Sequence, residues 1–304
     1  MTSIDLGLVH TPVTPFTENH AIDFDRYGRL IEFHLRNGAD SIAAPMHAGE
    51  SVSLTDNEQR AVVEFVVRTV AGRVPVVAHV SDAGTTVAVE RARHAEKAGA
   101  TAVLTTTPYY WTPPQPMVIE HFRQIGSAIG IPFLALNVPE ENSGSRINAD
   151  IAMKLVEALP NFVGVIDASL DWQFMLDLMY LVRPVRPDFR LLAGNEYFVS
   201  AYSIGASGSV SPLAAIAPRL VRRCHDDCRA DRLWEARKAQ ESLAALRKLL
   251  KDFGFAGLKF ALQALGRDCG PHRAPVRELS GAEAGRLAAT LEAFAPLADE
   301  PRGW

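Results

Sequence analysis

The sequence predicts a (β/α)8 TIM barrel with additional C-terminal helices. Three observations carry this. Eight short β-branched or apolar runs recur along the chain, each followed by an amphipathic helix pattern. Successive runs start roughly 20 to 35 residues apart, the length of one strand-plus-helix unit. The runs read as continuous apolar stretches, as in Val-Pro-Val-Val-Ala and Phe-Leu-Ala-Leu, which suits parallel strands buried on both faces.

In order, the predicted strands are Leu8–Val13, Ser41–Pro45, Val74–Val80, Ala102–Thr106, Pro132–Leu136, Phe162–Ile166, Arg190–Ala193 and Gly208–Val210. The helices between them carry their own punctuation. Thr55-Asp-Asn-Glu58 reads as a capping box ahead of an apolar helix, and Gly72 and Gly99 fall where helix C-caps belong. After the eighth strand, Arg232–Lys251, Ala256–Leu265 and Gly281–Ala295 read as helices beyond what a bare barrel needs. The expected organisation is a barrel over residues 1–225 with a helical extension, 226–304, packed on it as one structural unit.

The chain has 304 residues, is 48% apolar and carries a net charge of −4. That supports a sizeable core and excludes a disordered chain, a collagen or a disulfide scaffold. The slight acidity argues against nucleic acid as a partner. The opening MTSIDLGLVHTPVTPF lacks a basic n-region and a long apolar core, so no signal peptide is expected. No apolar run approaches the ~18 residues of a spanning helix, so no membrane partner is expected. Three cysteines cannot all pair with one another, and reduced thiols in a cytoplasmic protein are the expectation. Cys224-His225-x-x-Cys228 is one isolated half-site, too little for a metal centre.

In a barrel of this kind, function sits at the C-terminal strand ends and the loops that follow. Here those positions are rich in polar groups. His47, Ala48, Gly49 and Glu50 follow the second strand, and His79 ends the third. Tyr109 and Tyr110 follow the fourth, and Asn137 and Glu141 the fifth. Asp167 follows Ile166 on the sixth, Asn195 follows the seventh, and Val210 lies on the eighth. This composition suits a small-molecule site. Histidine titrates near neutrality and is the usual general acid/base, so His47 and His79 are candidates for proton transfer. Two His with a carboxylate can also hold a divalent ion, but no tight His-x-His or His-x-x-x-His spacing is present, and neither metal nor cofactor is expected.

An ordered set of short motifs runs through the chain. It comprises Val13-Thr-Pro-Phe16, Gly49-Glu50-Ser51 followed by Leu54-Thr55-x-x-Glu58, Pro108-Tyr109-Tyr110, Asn137-Val138-Pro139, Gly164-Val165-x-Asp167-Ala168-Ser169, Leu192-x-Gly194-Asn195-Glu196 and Gly257-Leu-Lys259. In this set the chain resembles the dihydrodipicolinate synthase / N-acetylneuraminate lyase family of barrel aldolases. The resemblance implies a Schiff base between a sixth-strand lysine and the keto group of a 2-oxo acid. It implies a proton-relaying tyrosine before Asn-Val-Pro, and a Gly-[Ser/Thr]-Thr-Gly-Glu loop that grips the substrate carboxylate. It also implies a homodimer or homotetramer, in which the second tyrosine of the pair reaches into the neighbouring site.

The chain departs from this pattern where the chemistry lies. The lysine position is Ile166, the relay tyrosine is Leu136, and the loop reads Met46-His47-Ala48-Gly49-Glu50. Iminium formation needs a nucleophilic amine, which isoleucine cannot supply. The expected function is therefore a lyase-class enzyme acting on an oxo- or hydroxy-acid-like small molecule without a Schiff base. The reaction would be aldol-type, dehydration or cyclisation chemistry, with His47 as acid/base and Tyr110 and Asp167 assisting. Ala48, Gly49, His79, Tyr109, Leu136, Asn137, Glu141, Ile166, Asn195 and Val210 would line the substrate. The alternative is a catalytically inactive relative that binds a metabolite or a partner.

Overall fold

The computed structural model describes residues 4–139 and 145–304. Eight parallel strands run in sequence order in one closed barrel. They are β1 (Leu8–His10), β2 (Ser41–Ala44), β3 (Val76–His79), β4 (Ala102–Thr106), β5 (Phe133–Asn137), β6 (Phe162–Asp167), β7 (Arg190–Ala193) and β8 (Gly208–Ser211). Each falls within or beside a run predicted from the sequence. The strands are short because each supplies only a few residues to the barrel wall before a loop turns into the next helix.

The intervening helices are α1 (Phe24–Arg36), α2 (Asp56–Val70), α3 (Thr85–Ala98), α4 (Gln115–Ser127), α5 (Ala149–Ala158), α6 (Trp172–Val182) and α7 (Phe198–Ser203). The capping box before α2 is formed in both directions: the Thr55 hydroxyl accepts from the Glu58 N–H, and the Glu58 carboxylate accepts from the Thr55 N–H. Gly99 ends α3 at φ 92°, as its position predicts. The end of α2 differs: Ala71 itself takes the left-handed cap at φ 52°, and Gly72 follows at φ 74°.

The chain divides into two compact units. One contains Pro75–Val210 and the segment ending at Gly7, and so holds β3 to β8 apart from the last residue of β8. Its core includes Phe122, Phe133, Phe162 and Phe189, which form a chain of ring contacts from α4 across β5 and β6. The other unit contains Leu8–Val74 and Ser211–Trp304. It joins β1, β2, α1 and α2 to α8 (Pro218–Arg229), α9 (Leu233–Lys251), α10 (Gly254–Ala264) and α11 (Gly281–Ala293). The additional C-terminal helices therefore group with the first two strand–helix units.

Two features of this second unit are invisible to periodicity. His10 on β1 is fully buried, and its Nδ1 lies 3.1 Å from Nδ1 of His34 on α1. Residues 300–304 form a strap. The Glu300 carboxylate accepts from the N–H groups of Arg219 (3.0 Å) and Leu220 (2.8 Å), which open α8. The buried Arg267 guanidinium donates to the carbonyls of Pro301 and Gly303, and the Trp304 ring lies 5.0 Å from the Arg29 guanidinium. All three cysteines are buried free thiols. Among the described residues no helix is long and apolar enough to cross a membrane.

Candidate functional site

The strand ends of the β3–β8 unit present two faces. Thr106, Leu136, Ile166 and Leu192 stand side by side in register across β4 to β7. Asn137, Asp167 and Ala193 form the next row. Successive strand residues point to opposite faces, so Leu136 and Ile166 share one face, and Asn137 and Asp167 share the other.

The second row is tied together. Asn137 Nδ2 donates to Asp167 Oδ1 at 2.8 Å, and Asn137 Oδ1 accepts from the Ile147 N–H at 3.0 Å, just before α5. Ser169 Oγ lies 2.9 and 3.1 Å from the two carboxylate oxygens of Asp167. This row thus faces the helix layer and fastens the loops. The neighbouring Gly194 admits no side chain, because a Cβ there would come within 2.8 Å of the Asp167 carbonyl oxygen. Burial pushes the Asp167 carboxyl up to about 6, against the hydrogen bonds from Asn137 and Ser169 that favour its charged form. The sequence expectation gave Asp167 a catalytic part and Asn137 a substrate contact; the geometry engages both side chains with each other.

The first row carries no heteroatom on β5, β6 or β7. Ile166 is 1% exposed, while Leu136 is half-buried. His79 belongs to this face: it pairs with Leu104, which alternates with Thr106. Its Nε2 lies 2.6 Å from Ser81 Oγ, which in turn accepts from the Thr106 N–H at 2.8 Å. Val210, on β8, is buried.

The loops add strained backbone. Tyr110 is 91% exposed and adopts φ 82°, in the left-handed region. Tyr109 beside it is half-buried, and burial followed by the Asp82 carboxylate raises its phenol above the ordinary value. Asn195 and Glu196 are both left-handed, at φ 54° and 56°. Glu141 lies outside the described residues.

In the other unit, His47–Gly49 form a short 3-10 helix after β2. His47 is exposed, with its ring 4.5 Å from that of Phe255; Ala48 is half-buried. Gly49 is buried where a Cβ would meet Thr14 Oγ1 at 3.0 Å, and its carbonyl accepts from that hydroxyl. Glu50 turns inward at φ 54°. Its carboxylate meets Lys259 Nζ at 2.8 Å and His272 Nδ1 at 3.0 Å, and accepts from the Arg273 N–H at 3.0 Å. Burial opposes the charge of Glu50, but the His272 bond, the Lys259 ammonium and the Arg273 amide outweigh it and hold the carboxyl at about 2.

Lys259 also donates to the Pro271 carbonyl and lies over the Phe16 ring. Burial lowers its affinity for the proton, but Glu50 opposes this, and the ammonium is bound in an ion pair rather than offered as a free amine. Sequence reasoning missed His272 and Arg273 as partners of Glu50, and Ser81 as the partner of His79. Among the described residues no group of three or more His, Cys, Asp or Glu is arranged to hold a metal ion.

A closed eight-stranded parallel barrel with polar strand ends defines the chain as a TIM-barrel protein. Residues 5–294 match the model of the dihydrodipicolinate synthetase family, and the chain belongs to that family. It is 33% identical to the 4-hydroxy-tetrahydrodipicolinate synthase of Laribacter hongkongensis, over 92% of this chain and 96% of the relative. Among solved structures, the dihydrodipicolinate synthase of Aquifex aeolicus superposes with a TM-score of 0.90 at 29% identity, covering 97% of this chain and 100% of that one. The Acinetobacter baumannii dihydrodipicolinate synthase, solved with pyruvate, gives 0.89 at 26% identity, covering 96% and 99%.

Proposed function

We propose that this chain is a lyase-class enzyme acting on a 2-oxo acid or a closely similar small molecule, and that it works without a covalent imine. The observation that carries this reading is the pairing of Ile166 with Leu136 at the tips of β6 and β5. These are the positions where the family resemblance implies the imine-forming lysine and its proton-relaying tyrosine. Membership of a family of small-molecule synthases supports the substrate class. The polar groups at the remaining strand ends support retained chemistry: His79 stands on the face of Ile166, and His47 occupies the loop that the resemblance assigns to substrate carboxylate binding. His47 is proposed as an acid/base group. Tyr110, exposed on a strained backbone, suits a contact with a second copy of the chain, in a homodimer or homotetramer. Asp167 assists by fixing the β5–β7 loops. No resident cofactor is proposed, and the protein is expected in the cytoplasm.

Borohydride reduction in the presence of pyruvate tests the mechanism. The intact chain is expected to keep its mass; a covalent increment would restore the imine route and overturn the proposal. Turnover assays over a panel of 2-oxo acids test the activity, with His47→Ala expected to lose turnover while its unfolding profile is retained. A metabolite-binding protein without activity is the second reading. The apolar row Leu136–Ile166–Leu192 favours it, and ligand-induced thermal stabilisation with no turnover of any panel member would establish it.

A further inference from the structure

Arg267, just beyond α10, is 0% exposed and is the largest fully buried side chain among the described residues. Burial lowers its pKa to about 10, which still leaves a cation at neutral pH. A planar guanidinium has five N–H groups, and those of Nε and Nη2 along one edge form a fork. Nη1 donates to the carbonyls of Pro301 at 2.7 Å and Gly303 at 3.0 Å. The Phe33 ring, 4.2 Å from Cζ, covers the plane. The remaining edge is different. Nε and Nη2 are buried and meet no acceptor among the described residues.

Neighbouring groups do not supply the counter-charge. The Glu300 carboxylate accepts from the amides of Arg219 and Leu220 and forms no ion pair with Arg267 among the described residues. Asp268 pairs with Arg26 at 3.1 Å. Burial pushes the Cys269 thiol up to about 12, so it is neutral, and its Sγ lies 3.6 Å from the Arg267 carbonyl oxygen. Arg302 adds further positive charge. A buried cation without a partner is costly, and so are buried N–H groups without acceptors.

We propose that the Nε–Nη2 edge of Arg267 binds a compact monovalent anion, of halide size, beneath the strap of residues 300–304. Two parallel N–H groups then converge on one acceptor, and the charge is neutralised where it is buried. The opposite edge holds the strap, which is also fixed by the Gly303 N–H donating to the Leu265 carbonyl at 2.8 Å. The ion therefore steadies the guanidinium that anchors the strap. Because Arg267 is fully buried, the ion exchanges only when the strap opens. The site lies in the unit of β1, β2 and the additional helices, and it does not depend on the reaction proposed above.

Bromide is the probe, with the full chain. Crystals grown in sodium bromide, measured at the bromine absorption edge, are expected to show an anomalous peak against Nε and Nη2. No peak there, or density that does not scatter anomalously, overturns the proposal. In solution, thermal unfolding is followed in bromide and in gluconate, an anion too large for the closed site, at equal ionic strength. The bromide midpoint is expected to rise and then saturate, which a general salt effect does not do. A crystal peak without that rise would mean binding at crystal concentration only and also overturns the proposal. Arg267→Lys keeps the charge but lacks the fork, and is expected to lose the saturating rise. A folded Arg267→Lys with the wild-type response overturns the assignment to this edge. If that variant does not fold, the wild-type crystal and titration decide by themselves.

Discussion

Ile166 stands directly beside Leu136 in the parallel register of β5 and β6, so two hydrocarbon side chains occupy adjacent strand tips on the same face. Paired introduction of the groups implied by the family resemblance should restore the missing chemistry. The double variant Ile166→Lys/Leu136→Tyr is expected to gain a borohydride-trapped mass increment with pyruvate. A lysine there would enter a buried position, which lowers its pKa and favours the nucleophilic amine. Mass spectrometry of the reduced protein checks this. A folded double variant that gains no adduct would show that further groups are needed.

Tyr110 holds a left-handed backbone while its ring projects into solvent. A tyrosine in that region costs about 1–3 kcal/mol, a strain that glycine does not incur. Tyr110→Gly is therefore expected to raise subunit stability by about 1 kcal/mol. It should also weaken self-association if the ring serves a contact between copies. Urea unfolding at low concentration and sedimentation velocity across a dilution series measure the two effects separately.

Asp167 predicts a pH dependence of definite sign. Its folded-state pKa of about 6 lies above the ordinary 3.8. The protonated carboxyl thus contributes stability that is complete below the ordinary value and is lost as pH rises through about 6. Asp167→Asn cannot ionise and escapes that loss. Relative to wild type, it should gain on the order of 2 kcal/mol between about pH 4 and about pH 7.5, as read by urea unfolding at each pH.

Lys259 and Glu50 form a buried ion pair that His272 and the Arg273 amide complete. Lys259→Met leaves the Glu50 carboxylate buried with fewer partners and is expected to cost about 3–5 kcal/mol. Lys259→Met/Glu50→Gln should recover part of that loss, because the buried charge is then removed as well. Chemical denaturation of the wild type, both single variants and the double variant closes the cycle.

The barrel was legible because its signals are local. Strand runs, the Thr55–Glu58 box and the Gly99 cap each lie within a few residues. The site was legible in its residue types but not in their orientation. Alternation shows that Ile166 and Asp167 face opposite ways; which of them turns to the helices is shown by Asn137, which bonds Asp167 and accepts from the Ile147 N–H just ahead of α5. The same ambiguity hid His10, whose partner His34 lies on α1. The partners of Glu50 were out of reach for another reason. His272 is 222 positions away along the chain, and no local pattern links a loop glutamate to a histidine beyond α10.

The strap formed by residues 300–304 bears on how the protein should be handled. Glu300 supplies acceptors to the first turn of α8, and Arg267 grips the carbonyls just beyond it. Trimming these residues would strip the capping carboxylate from α8 and leave a buried guanidinium without its acceptors. A change within this segment therefore reaches α8 and Arg267 as well.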